Sequence, residues 1–393
     1  MYDVARMLPR VQTTGNGRLF YATYFAAAAC LLPYLGLYLR RIGLPGDQIG
    51  LLLGIKPIVM VAGAAIWSAF ADRTGRHRTV LVTACYLSAA LGAVLVIPSH
   101  VVAIGAVLFL FAFFYAPIIP AADNAVMTGI AANGGEYGRV RLFGAIGWGV
   151  TSIVIGFIVE NTAITIVFAA YAAAMVVCGT TAFGLPRPTR VAGVKILKNL
   201  PLFLRDRRWG LFLLVAFFAG LANSVVHNFL FIYLDQLGAP ETMMGAALAV
   251  ATVSELFFFF FSARLIRRFG ADTVLAFGLG VTALRLAAYA LIRNPAWALA
   301  VQLCHGPGFA AMYVAGVSRA REIAPRGLGA TAQSFFYIAL SGLGGTVGVT
   351  LGGILFERYD VFVMFAAAAA GAATAASVFI GAGRRRPTVH DTQ

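Results

Sequence analysis

The sequence predicts an all-α protein that crosses a membrane twelve times. Of its 393 residues, 60% are hydrophobic and only 11% are charged, whereas a water-soluble domain carries about 25% charged residues. The apolar residues form long continuous runs, which excludes the alternating pattern of about ten residues that is typical of membrane β-barrels. At about 20 residues per crossing, helices use most of the chain and leave no room for a soluble catalytic domain.

Twelve apolar stretches follow one another between polar breaks, and each is long enough to cross a hydrocarbon core of about 30 Å. The first is followed by further spans and lacks a small-residue cleavage site, so we interpret it as a retained helix rather than a signal peptide. The stretches lie near residues 19–38, 49–70, 79–98, 101–127, 141–159, 163–183, 209–233, 243–262, 271–292, 296–316, 331–355 and 361–380.

Lys and Arg are distributed unevenly between the loops. If both termini are cytoplasmic, the cytoplasmic segments hold 24 basic residues and the outer loops hold 4. This asymmetry predicts a multi-pass protein of the plasma (inner) membrane with an even number of spans and both termini inside. We attribute the net charge of +15 to topology and not to nucleic-acid binding, because a DNA-binding module concentrates its basic residues. We expect the protein to be a monomer that is surrounded by membrane lipids.

The chain contains an internal repeat with an offset of 195 residues. The first six and the last six spans are therefore predicted to have the same orientation in the membrane. The predicted units are residues 1–184 and 209–393, joined by a basic cytoplasmic linker at residues 185–208. A parallel repeat of this kind places a substrate between the halves, near the middle of the membrane. The matching positions are Tyr38 to Pro45 with Tyr233 to Pro240, Gly50 with Gly245, Arg73 with Arg268 and Gly75 with Gly270.

The segment from Ala71 to Arg78 resembles the signature between the second and third helices of the major facilitator superfamily, with Ser68 where the family usually has Gly. A degenerate copy runs from Ile266 to Gly270. An acid with several Arg residues at cytoplasmic helix ends can form latches that break and remake as the halves rock. The alternative is ordinary positive-inside charge. The candidate latch residues are Asp72, Arg73, Gly75, Arg76, Arg78, Arg267 and Arg268.

Four further strings resemble the branch of that superfamily that contains lactose permease-like symporters, nucleoside symporters and phenylpropionate permease-like proteins. This resemblance implies a secondary transporter that works by alternating access. The strings are Pro117 to Asn124, Tyr137 to Gly144, Gln302 to Gly306, and Gln333 followed by the glycine-rich run Gly342 to Gly353.

Ionisable residues inside spans are costly and usually face a cavity or a partner. Glu255, His305 and Arg285 lie roughly 18, 14 and 10 Å below the outer surface at 1.5 Å per residue, so they can meet. The resemblance implies sugar binding and proton coupling for an acid, a His and an Arg at these positions. Gly308 stands where a second carboxylate is expected, so Glu255 is the candidate proton site, with movement of Arg285 changing its proton affinity. A static buried ion pair is the alternative.

In the N-terminal half, Asp123 and Arg141 resemble the acid and Arg pair that lactose permease uses for its galactoside, with a gate or a structural salt bridge as the alternative. Lys56 either lines the cavity or extends its side chain to the outer interface.

Uncharged polar side chains complete the candidate substrate-binding set. His227 and Asn228 can bind a hydroxyl or carboxylate group, although such residues are often hydrogen-bonded to a neighbour within the bundle. Gln302 and Gln333 are further candidates that lie in the family-like strings.

Several chemistries are absent from the sequence. It has no phosphate-binding Gly-Lys-Ser/Thr loop and no clustered metal ligands, so we expect no enzyme activity, no cofactor and no metal. The predicted function is a secondary transporter that moves a small organic solute (a sugar, a nucleoside or an aromatic acid) with protons. Two alternatives remain at this point: a proton-coupled efflux antiporter for drugs or metabolites, and a membrane receptor or membrane-embedded enzyme.

Overall fold

The computed structural model describes residues 8–186, 201–203 and 205–384, and these are helical with no strand among them. Eleven of the described helices are long and apolar enough to cross a membrane, and Ile166–Ala182 is a further apolar helix of 17 residues. The predicted all-α membrane fold is therefore confirmed. Most of the predicted linker lies outside the described residues.

We number the helices α1 to α12, one for each span. Where a span is interrupted, its helical segments share one number. The bounds are α1 Leu8–Leu31 and Tyr34–Arg41, α2 Gly46–Thr74, α3 His77–Val94, α4 Val101–Tyr115 and Ile118–Asn133, α5 Tyr137–Asn161, α6 Ile166–Ala182, α7 Arg207–Gln236, α8 Glu241–Phe269, α9 Ala271–Leu291, α10 Pro295–Val301 and Ala311–Glu322, α11 Gly329–Tyr337 and Gly345–Arg358, and α12 Val361–Arg384.

Two spans of the C-terminal half contain π-helical turns. In α10 the segments are joined by a 3₁₀ turn, Gln302–Cys304, and a π-helix, Gly306–Ala310, which contains Pro307. In α11 the π-helix is Ile338–Gly344. Proline removes a backbone donor and widens the helix locally, and π-turns are frequent at functional sites. The turn in α10 directly follows His305, one of the predicted site residues.

The internal repeat is visible in the turns after α1 and α7. Gly43 and Gly238 both adopt the left-handed conformation, with φ of 92° and 73°, and in each turn the glycine and the next residue donate hydrogen bonds back to the helix end. This is a Schellman motif, which favours glycine because it has no β-carbon. Pro45 and Pro240 then start α2 and α8 in the same extended conformation. The repeated residues therefore encode one helix–turn–helix geometry twice.

The two halves of the bundle meet mainly where α2 packs on α11 and where α5 packs on α8. Glycines allow this contact: a β-carbon at Gly50 would lie 2.7 Å from the carbonyl oxygen of Val349, and one at Gly245 would collide with the carbonyl of Ser152. Both glycines belong to the internal repeat, so the duplicated sequence also supplies both sides of the contact between halves.

The contacts between the halves lie towards one end of the bundle, which we call the closed end and which contains the connections 42–45 and 237–240. Here a single buried apolar cluster includes residues of both halves, such as Leu53 and Val349. Towards the opposite end, a second cluster around Trp209 and Phe336 consists of C-terminal-half residues together with Phe203, which precedes α7. The halves therefore share a core at the closed end and have separate cores at the far end.

Candidate transport site

His305 lies between Arg285 and Glu255, and joins three spans at one level. The Nη1 atom of Arg285 is 2.9 Å from Nδ1 of His305, and Nε2 of His305 is 3.7 Å from Oε2 of Glu255. Because a guanidinium group can only donate hydrogen bonds, Nδ1 is the acceptor, which makes the ring neutral with its proton on Nε2, on the side of Glu255. The structure therefore brings together the three ionisable residues of the C-terminal half.

Gln302 belongs to the same cluster through Arg285. The Nη2 atom of Arg285 donates to Oε1 of Gln302 over 2.5 Å, and the two residues are 4% and 1% exposed. The sequence predicts that Arg285 acts directly on Glu255, but His305 occupies the position between them. Among the described residues, neutral acceptors hold the Arg285 guanidinium and no ion pair with a carboxylate is present.

The irregular part of α10 is tied to α8 beside Glu255. Ser254 Oγ donates to the carbonyl oxygen of Leu303 over 2.5 Å and accepts from the N–H of Gly306 over 3.1 Å. Regular helices satisfy their own backbone groups, so these bonds are available only because the helix changes its geometry between residues 302 and 310. The break in α10 therefore positions Glu255 opposite His305.

His227 on α7 faces the interior of the bundle beside His305, with the two ring centroids 6.1 Å apart. Its side chain is exposed although Val226 and Phe229 next to it are buried. Because its ring nevertheless lies against His305 and Phe309 inside the bundle, this exposed side chain lines an internal cavity. Its Nδ1 donates to the backbone of Asn223 over 3.0 Å, which leaves Nε2 as an acceptor.

Asp123 on α4 is held by two tyrosines and not by Arg141. Tyr21 and Tyr137 donate to Oδ1 of Asp123 over 2.5 and 3.0 Å. The guanidinium of Arg141 lies over the rings of Tyr21 and Phe25, at 4.9 and 4.3 Å from their centroids. The predicted pair is therefore adjacent through Tyr21, and within the described residues Arg141 makes cation–π contacts and no ion pair with Asp123.

Lys56 lies in the interior of the bundle, ten residues from the start of α2. Its Nζ is 5.5 Å from the ring centroid of Tyr115, a buried residue at the end of the first segment of α4. Of the two positions that the sequence allowed, the structure shows the one inside the bundle.

Two of the predicted binding residues lie away from these groups. Asn228 uses its side chain to donate to the Ser224 carbonyl over 2.8 Å, and its own carbonyl oxygen lies against Gly36 of α1. Gln333 lies on α11 towards the far end, where its amide oxygen accepts from the guanidinium of Arg321. Neither contacts the His305 cluster.

The candidate latch residues lie at the far end, and among the described residues their contacts do not join the two halves. Asp72 is 3.5 Å from Nε2 of His77, Arg78 donates to the carbonyl of Leu185 over 2.6 Å, and Arg268 lies over the ring of Phe269. Gly75 ends α2 in the left-handed conformation, with φ of 68°. No described contact of Arg73, Arg76 or Arg267 joins the halves. The latch remains a prediction for another conformation.

Charged residues at the closed end join the halves, and the sequence analysis missed this role. Arg41 forms ion pairs of 2.6 and 2.7 Å with Asp235 and Glu241. Glu357 accepts from the N–H of Gly46 over 2.6 Å, at the start of α2. Arg40 and Arg41 are two of the four basic residues of the predicted outer loops. Asp235 occupies the repeat position equivalent to Arg40 and carries the opposite charge. This difference between the two copies of the turn is the sequence signal that could have indicated the ion pair.

The same kind of cap occurs twice between the halves. Glu160 at the end of α5 accepts from the N–H of Thr242 at the start of α8 over 3.0 Å, as Glu357 does at the start of α2. A carboxylate at a helix N-terminus satisfies a free backbone donor and interacts favourably with the helix dipole. Each half therefore caps a helix of the other.

Metal ligands do not cluster in the part of the chain that the structure describes: no group of three or more His, Cys, Asp or Glu residues could hold an ion. The site consists instead of titratable and hydrogen-bonding side chains around an internal cavity, on a twelve-helix bundle made of two parallel repeats. This arrangement defines a membrane transporter of the major facilitator type.

Residues 17–367 match the family model described as "MFS_1 like family". The chain therefore belongs to this family of the major facilitator superfamily, as its motifs predicted. The relatives of this family are named as transporters, which confirms the expectation that the chain is not an enzyme.

Two curated relatives cover most of this chain. The "Maltose permease" of Geobacillus stearothermophilus is 28% identical over 351 residues, which are 88% of this chain and 89% of the relative. The "Probable 3-phenylpropionic acid transporter" of Escherichia coli is 25% identical over 80% of this chain and 83% of its own length. Among solved structures, nucleoside transporter NupG has the same fold, with a TM-score of 0.87 at 16% identity, over 95% of this chain and 100% of that one.

Proposed function

We propose that this protein is a proton-coupled symporter that takes up a small organic solute, namely a sugar, a nucleoside or an aromatic acid, across the plasma membrane. The names of the relatives cover these three solute classes. In this proposal the chain works as a monomer among membrane lipids, with rigid units at residues 1–184 and 209–393 and a linker at residues 185–208.

The cluster of Glu255, His305, Arg285 and Gln302 carries the proposal. It places a carboxylate and an imidazole 3.7 Å apart, and holds the imidazole through a buried Arg. Intramembrane ionisable groups that face a cavity mark proton and substrate pathways. A cluster built only for stability would have paired Arg285 directly with Glu255, because an uncompensated buried charge is costly.

The hydrogen-bond directions suggest how proton binding moves Arg285. In the described state, Nδ1 of His305 accepts from Arg285. When the transported proton makes His305 cationic, Nδ1 carries a hydrogen and can no longer accept from Arg285, while Glu255 faces the charged ring on the Nε2 side. The two cations repel, so Arg285 loses this bond and becomes available to a substrate. In this way the binding of one proton releases the Arg285 guanidinium to bind the solute.

The conformation fits one stage of alternating access. With the positive-inside orientation, the closed end faces outward and the far end faces the cytoplasm. The described state then corresponds to an inward-facing conformation, in which solute and proton leave to the cytoplasm. The candidate latch at the far end would form when the halves rock to the outward-facing conformation.

A direct test measures charge movement from purified protein in proteoliposomes on a sensor surface at two pH values. Pools of sugars, nucleosides and aromatic acids are applied to wild type, Glu255→Gln and a control, Glu322→Gln, whose carboxylate is exposed and paired with Arg319. We expect a substrate-specific, pH-dependent current in wild type and in the control, and loss of uphill accumulation in Glu255→Gln with exchange partly retained.

Two results would contradict the proposal. Accumulation by Glu255→Gln at the wild-type level would remove Glu255 from the coupling role. Substrate-driven proton movement in the direction opposite to that of the solute would support the alternative function, a proton-coupled efflux antiporter for drugs or metabolites.

A further inference from the structure

Two cations of the N-terminal half lie in the interior of the bundle without a carboxylate partner among the described residues. Lys56 contacts the ring of Tyr115, and Arg141 contacts the rings of Tyr21 and Phe25. A cation–π contact contributes only about 0.5 to 2 kcal/mol, which is less than the cost of placing a charge inside a membrane. Their positive charge is therefore only partly compensated by the protein.

Neither interior carboxylate forms an ion pair with Lys56 or Arg141 among the described residues. Asp123 already accepts from two tyrosine hydroxyls, and Glu255 is next to His305. The other nearby titratable group, His227, donates its Nδ1 proton to a backbone carbonyl and offers only a lone pair on Nε2. Asp123 and Glu255 thus have other partners. The cationic groups of Lys56 and Arg141 contact only aromatic rings among the described residues.

Lys56 is the cation better placed to meet a solute. At 1.5 Å per residue it lies about 15 Å from the start of α2, close to the middle of the bundle. Its side chain is half-buried, and its Nζ lies beside the ring of Tyr115. A lysine on a flexible stem acts as a point charge and can pair with an anion from several directions.

We propose that the transported solute is an organic anion, and that Lys56 pairs with its carboxylate. This inference rests on the proposed transport function and narrows its three solute classes to acids. The negative group of the solute supplies the counter-charge that the protein lacks. An uncharged solute of the same shape leaves Lys56 uncompensated and binds more weakly.

The test compares acids with uncharged analogues of the same body. The probes are 3-phenylpropionate with 3-phenylpropionamide, and glucuronate with glucose, and the readouts are ligand-induced thermal shift and competition for transport. The variants are Lys56→Met, Lys56→Arg and Arg139→Met; Arg139 is the control because it is exposed and paired with Glu136 at the surface.

We expect at least one acid to bind tenfold or more tightly than its uncharged analogue in wild type and in the Arg139→Met control. Lys56→Met should lose this preference, and Lys56→Arg should retain most of it. Equal affinity for acid and analogue, or a preference that survives in Lys56→Met, overturns the inference. If proton-coupled uptake of maltose or uridine persists in Lys56→Met, the inference fails while the proposed transport function stands.

Discussion

At the scale of single residues, neutral partners around Arg285 determine what the C-terminal cluster can do. A guanidinium group held by one imidazole nitrogen and one amide oxygen is released when either acceptor changes its protonation or position. A buried ion pair would be far harder to separate, because breaking it leaves an uncompensated charge. The cluster is thus suited to a step in which Arg285 moves.

The fork geometry of Arg285 gives the residue-scale prediction. Arg285→Lys keeps the charge but cannot hold His305 and Gln302 at once, so we expect proton-driven accumulation to fall about tenfold, which corresponds to the loss of about one charged hydrogen bond. Arg293→Lys, at an exposed position over Phe362, is the matched control. Accumulation by Arg285→Lys at the wild-type level would show that any positively charged side chain is sufficient at this position.

At the scale of helices, close packing between halves depends on repeated glycines. Gly50 and Gly245 occupy equivalent positions of α2 and α8, and each faces the backbone of a helix from the other half. Small residues at a helix contact let backbones approach within a membrane, where dispersion and weak hydrogen bonds replace the hydrophobic effect as the driving force. Glycine at these positions therefore permits a tight contact that can also separate.

Replacement of a packing glycine should open the closed end. In Gly245→Val, the added side chain collides with the backbone of Ser152, so we expect faster hydrogen–deuterium exchange in the closed-end parts of α5 and α8. Gly280→Val on α9 is the control, because nothing lies within 4 Å of a β-carbon there. Unchanged exchange in Gly245→Val would show that the helices repack without separating.

At the scale of the whole molecule, ion pairs between the halves add to the packed core of the closed end. The ion pairs of Arg41 are partly exposed, and such pairs contribute roughly 0.2 to 1 kcal/mol each. A complete switch of a two-state equilibrium requires about 5.5 kcal/mol. These ion pairs are thus strong enough to bias the conformational equilibrium and too weak to fix one state by themselves.

Charge exchange across the closed end tests this view. We expect Arg41→Asp to shift the conformational equilibrium several-fold towards the outward-open state, because residue 41 then repels Asp235 and Glu241. Spin-label distances across the closed end should lengthen, and addition of Asp235→Arg should restore them by pairing residue 235 with both residue 41 and Glu241. Failure of the double variant to restore them would mean that Arg41 acts through its shape and not through its charge.

Much of this architecture follows from the sequence alone. Apolar runs specify the spans because unpaired backbone groups are excluded from lipid, and the repeat at an offset of 195 specifies two parallel halves. The depths of Glu255, Arg285 and His305 follow from the rise per residue of a helix. These are properties of chain length and composition, which act locally and need no knowledge of neighbouring helices.

The tertiary structure decided which side chains face each other. The rotation of each helix about its axis and the irregular turn in α10 place His305 between Arg285 and Glu255, and place Tyr21 between Asp123 and Arg141. Which end of the bundle is closed is also a property of packing, because both the far-end latch and the Arg41 ion pairs are compatible with the sequence. Contacts between distant segments depend on how helices pack, and the local sequence pattern does not contain that information.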